Sequence, residues 1–181
     1  MHGKLRELPI LDKATSAMNL KSEIAEAFTH RRAPQELIER RGILTPEQSE
    51  ALWFQNRDWK DLNWQDWEAH SDAIYTLVPT AFANYLPSIL CCSLDVQDHL
   101  LLAGRIILGV LDRSPKVEFW DHFMVQRFVG LAAKEYEVLK LWLVRLSGQI
   151  PGIDEDSLTR AYETVEILET ETARARTLHR T

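Results

Sequence analysis

The chain has 181 residues, 45% of them hydrophobic and 27% charged, with seven glycines and seven prolines. That suits one ordinary core, excludes a disordered or fibrous protein, and argues against a many-stranded fold, which needs more backbone breakers. A net charge of −6 disfavours nucleic acid as a partner, because phosphates are repelled.

No apolar run approaches the roughly 18 to 20 residues of a membrane helix. The longest, from Leu100 to Leu111, is broken by Gly104 and Arg105. The N-terminal MHGKLRELPILDK has neither a continuous apolar stretch nor a small-residue cleavage site, which predicts no secretory signal and a cytoplasmic protein. Cys91 and Cys92 are adjacent and would diverge by about 100° on a helix, so no disulfide between them is expected. The acidic excess is local. From Asp58 to Asp112 stand eight acids (Asp58, Asp61, Asp66, Glu68, Asp72, Asp95, Asp98, Asp112) against two bases, Lys60 and Arg105.

Residues 1–17 show no sustained periodicity and read as a flexible or loosely docked arm, with Met18 an alternative start to Met1. One domain over 18–181 is expected to follow. With Asn19 as N-cap, Leu20, Ile24, Ala27 and Phe28 fall on one face of a helix ending near Arg31. Thr45, Pro46 and Gln48 predict a second helix with a capping box. Asn63 is the expected N-cap of a short helix through His70, in a stretch holding Trp59, Trp64 and Trp67.

The apolar block AIYTLVPTAFANYLPSILCCSL predicts a helix begun near Pro79 and kinked or restarted at Pro87. Asp95 is the expected cap of a helix burying Leu100, Ala103, Ile107 and Leu111. Phe119, Trp120, Phe123 and Phe128 mark a further helical segment broken near Gly130. Leu131, Val138, Leu139, Trp142, Leu143 and Leu146 line the next helix, and Asp154 or Asp156 caps a last, acidic one over about 154–178. The fold predicted is all-α, a single-domain irregular helical bundle of about six to eight helices. Its core should include Ile24, Phe28, Phe82, Leu86, Leu90, Ile107, Leu111, Phe128, Leu139, Trp142 and Leu143.

The block HSDAIYTLVPTAFANYLPSILCCSL, with the tryptophan segment before it and Arg127-Phe128 after it, resembles the bacterial domain of unknown function family 6714. The matching residues are His70, Ser71, Asp72, Ala73, Pro79, Ala81, Phe82, Tyr85, Leu86, Pro87, Arg127 and Phe128. The likeness covers about 18–146. It implies a shared fold and transfers no catalytic residue.

Candidate chemistry is sparse. No two of the six histidines stand three or four apart, the spacing by which zinc sites commonly show themselves. Asp95, Asp98 and His99 lie close enough on one expected helix to invite a metal reading, with Asp121 and His122 as further ligands; the alternative is a capped helix start with a solvated acidic face. His70, Ser71 and Asp72 are consecutive, so their side chains radiate rather than converge as a triad must; Ser71 or Asp72 is expected to cap the next helix. Cys91 and Cys92 read as small buried hydrophobes, and Arg31, Arg32, Arg40 and Arg41 as a solvated face. No phosphate loop, dinucleotide-binding glycine motif, HExxH or CxxC occurs.

The function expected is a non-catalytic protein-protein interaction domain, for instance an immunity protein neutralising a basic effector or toxin, with no cofactor, no metal and no membrane. Its binding residues would be Asp58, Trp59, Asp61, Trp64, Asp66, Trp67 and Glu68, acids for steering and tryptophans for anchoring. The alternative is a small metal-dependent hydrolase using Asp72, Asp95, Asp98, His99 and His122.

Overall fold

The computed structural model describes residues 17–39, 42–96 and 98–178; residues 1–16 of the expected arm lie outside them. Among the described residues there are eight α-helices and no strand. In chain order these are α1 (Ala17–Ala27), α2 (Pro46–Trp53), α3 (Trp64–Ala69), α4 (Pro79–Ser93), α5 (Leu102–Leu111), α6 (His122–Phe128), α7 (Ala133–Gln149) and α8 (Glu155–Leu178). Three 3-10 turns, Trp59–Asp61, Ser71–Tyr75 and Val117–Phe119, punctuate them. An isolated antiparallel bridge joins Ile38 to Leu77. No described helix is long and apolar enough to cross a membrane.

α4 is the hub. Every residue from Ala81 to Leu90 is buried, because α1, α3, α5, α6 and the first 3-10 turn all pack against it. A helix covered all round needs apolar residues all round, and its sequence supplies them apart from Asn84 and Ser88. The 17-residue α7 and 24-residue α8 form a long antiparallel wall that closes on α1 and α5. All eleven expected core residues are buried, within one contiguous cluster.

Local signals account for several boundaries. Thr45 and Gln48 form the expected reciprocal capping box at α2, with Pro46 at its first turn. Asn63 caps α3, accepting from Gln65 and Asp66, and Asp154 Oδ1 accepts from Asp156 N at the head of α8. Other boundaries differ from expectation. Asn19 lies inside α1, which already includes Ala17. α4 continues through Pro87 without restarting; burial on every side holds the helix together where the missing proline N–H leaves one bond unmade. Ser71 and Asp72 cap nothing by their side chains and belong to a 3-10 turn. Phe119 and Phe128 stand in separate elements, because Asp121 caps a new helix by accepting from Met124 N at 2.8 Å.

Candidate functional site

Each residue of the expected acidic and aromatic face has a definite place. Trp67 is fully buried and stacks on Phe54 with centroids 4.6 Å apart, its Nε1 donating to Ser88 Oγ at 2.9 Å. Trp59 is only 9% exposed. Neither indole is available as a partner's anchor, since each belongs to the core; Trp64, 39% exposed, alone of the three is open. Several acids are engaged locally. Asp58 caps the first 3-10 turn by accepting from Lys60 N, Asp66 completes the α3 capping box by accepting from Asn63 N, and Asp61 is exposed. Glu68 Oε1 accepts from Leu102 N at 2.9 Å, so it caps α5 across the fold in place of the expected Asp95.

The metal reading is not assembled. Asp95 pairs with Lys21, and α5 begins only at Leu102, which leaves Asp98 and His99 exposed in a loop rather than sharing a helix. Asp121 is held by Arg113 at 2.8 Å and by its capping bond, His122 is exposed at the start of α6, and Asp72 is exposed. Among the described residues no cluster of three potential ligands occurs. Burial pushes the Cys91 thiol up to about 12 and the Cys92 thiol up to about 11, so both stay protonated near neutrality and are poor nucleophiles.

A concave feature of the surface lies elsewhere. A cleft of about 800 Å³ opens between the segment 33–38, the turn after α2, and the flank of α4. Tyr85 and Asn84 line it from α4, Arg31 from the end of α1, and Arg57, Asp58, Trp59 and Lys60 from the opposite wall. The wall is rigidly made. Asn56 turns the chain out of α2 at φ +63°, a left-handed conformation that asparagine tolerates better than most side chains. Tyr85 Oη lies 2.8 Å from Phe54 O and 3.0 Å from Arg57 O, fixing that turn to α4; burial foremost and Asp58 second raise its hydroxyl to about 12.

The cations are held in place. Arg57 donates from Nε to Trp53 O at 3.0 Å and lays its guanidinium 3.7 Å from the Trp53 ring centroid. Trp53 in turn stacks on His70. Arg31 is gripped by Glu135, which has no exposed side-chain surface: Nε donates at 2.7 Å to one carboxylate oxygen and Nη2 at 2.5 Å to the other. Arg31 is therefore one half of a partly buried ion pair and not part of the solvated face expected for it, and its Nη1 bonds to no described residue.

Asn84 is the exception within α4. Ser88 accepts from Trp67, Ser93 accepts from Trp142 Nε1 at 2.8 Å and donates to Leu90 O, and the Tyr85 hydroxyl meets two carbonyls. Asn84 is 4% exposed, lines the cleft, and its carboxamide bonds to no described residue. No family model, curated protein or solved structure matches the chain. The residues themselves carry the functional reading. Sequence reasoning passed over Asn84, although one signal pointed to it: a carboxamide in an otherwise apolar helical run, four residues before Ser88 and three after Ala81.

Proposed function

We propose that this chain is a non-catalytic interaction domain that receives a short peptide segment of a partner protein in the cleft beside α4. The supporting observation is Asn84. A carboxamide offers two donors and an acceptor, the complement of a peptide group's C=O and N–H, and this one stands on α4 in the cleft lining with no partner among the described residues. The volume falls within the roughly 300 to 1,000 Å³ of ordinary ligand sites, and the segment 33–38 forms one wall. Tyr85, protonated and engaged by two carbonyls, and the buried, protonated thiols of Cys91 and Cys92 suit recognition better than chemistry. The reading keeps a protein partner and moves its docking place from the tryptophan segment to the cleft. Trp59, Asp58 and Lys60 form part of the new wall, while Trp64, Asp66, Trp67 and Glu68 do not line it.

The test is selection of random displayed peptides against the full chain, followed by titration into Asn84→Leu. Selected peptides should lose at least about tenfold in affinity, the loss of one good hydrogen-bonding contact, and should shift the Asn84 side-chain amide resonances of the unaltered chain. Peptides that bind both forms equally and perturb resonances elsewhere would sink the proposal.

A further inference from the structure

The cleft differs in charge from the molecule around it. The chain carries −6 overall, yet among the described residues Arg31, Arg57 and Lys60 line the cleft against two acids, Glu36 and Asp58, with the Arg31 charge matched from behind by Glu135. One of those acids is engaged already, for Asp58 Oδ1 accepts from Lys60 N. Arg31 is half-buried and Arg57 exposed, but each guanidinium is held by a neighbour. Glu135 holds Arg31 through Nε and Nη2 and leaves Nη1 over, while Trp53 supports Arg57 through Nε and its ring face, leaving both of its terminal nitrogens without a described partner. A guanidinium so fixed loses little side-chain freedom when it binds a carboxylate, which it meets with paired N–H groups.

We infer that the segment received in the cleft is acidic, with a carboxylate bound by Arg57 and Arg31 while Asn84 reads the neighbouring peptide group. This rests on the peptide-binding reading above and adds the sign of the ligand. It reverses the basic partner that the chain's overall charge suggests. A carboxylate is supplied either by an Asp or Glu side chain or by a peptide C-terminus; both present the same oxygens to the arginines.

The experiment is a fluorescence-anisotropy titration of the full chain with labelled hexapeptides differing at one position in Glu, Gln or Lys, each prepared with a free and an amidated C-terminus. The variants are Arg57→Gln with Lys60→Gln, which leaves the Arg31–Glu135 pair intact, and Asn84→Leu. The expected result is tightest binding by carboxylate-bearing peptides, weakened about tenfold or more by the double Gln variant, with a flatter dependence on salt. The amidated arm tells a side-chain carboxylate from a C-terminal one. Gln or Lys peptides that bind as tightly as Glu peptides and remain sensitive to Asn84→Leu would overturn the acidic ligand and leave peptide binding standing. If no peptide binds in an Asn84-dependent way, the peptide reading fails and the acidic ligand with it. A thermal melt of each variant separates lost binding from lost fold.

Discussion

Ser88 and Asn84 stand four residues apart on α4, both buried and both polar, and the helix treats them oppositely. Ser88 is paired with the Trp67 indole at 2.9 Å, and a turn further on Ser93 is paired with Trp142 at 2.8 Å. In each case a large ring is sunk beside α4 and its lone N–H is met by a hydroxyl. Both indoles are satisfied. At Asn84 the neighbouring wall stands back, the cleft opens, and the carboxamide is left without a described partner. Buried polar atoms without a partner occur elsewhere too, among them His70 Nδ1 and Thr164 Oγ1; Asn84 differs in that it lines a cleft open to a ligand.

The largest expected effect breaks the satisfied half. Trp67→Ala removes a fully buried ring stacked on Phe54 and should cost about 3 to 5 kcal/mol by denaturant unfolding. A loss below 1 kcal/mol would show that the α3–α4 interface contributes little. Ser88→Ala is the finer cut. It keeps the ring and strands its N–H, and should cost about 1 to 3 kcal/mol; a neutral outcome would mean that the indole finds another acceptor, and the contrast with Asn84 would lose its force.

Much of the architecture was legible because helix periodicity and caps are local. Thr45 with Gln48, Asn63, and the apolar spacing through Leu139, Trp142 and Leu143 each signal within a few residues, and the structure has them as read. What was not legible depends on distant pairing. Glu68 caps α5 from 34 residues away, so in sequence it looks like one more surface acid. Trp59 and Trp67 sit among charged neighbours, which leaves core packing and a partner-binding surface both open in sequence; α4 and Phe54 cover them. Arg31 reads as solvated because its partner, Glu135, lies 104 residues on. The cleft has no linear motif at all, since its walls come from the turn after α1, the 33–38 segment, the turn after α2, and α4.

The central claim is that the Asn84 carboxamide is kept for a ligand and not for the fold, and chemical denaturation of Asn84→Leu beside the unaltered chain tests it most directly. Leucine has the same number of side-chain heavy atoms and no polar group to strand. With no described partner to lose, the exchange should leave the unfolding midpoint within about 0.5 kcal/mol of the unaltered chain at unchanged slope, while peptide binding is lost. A midpoint that falls instead would show that the amide is bonded within the folded chain itself, and would contradict the account.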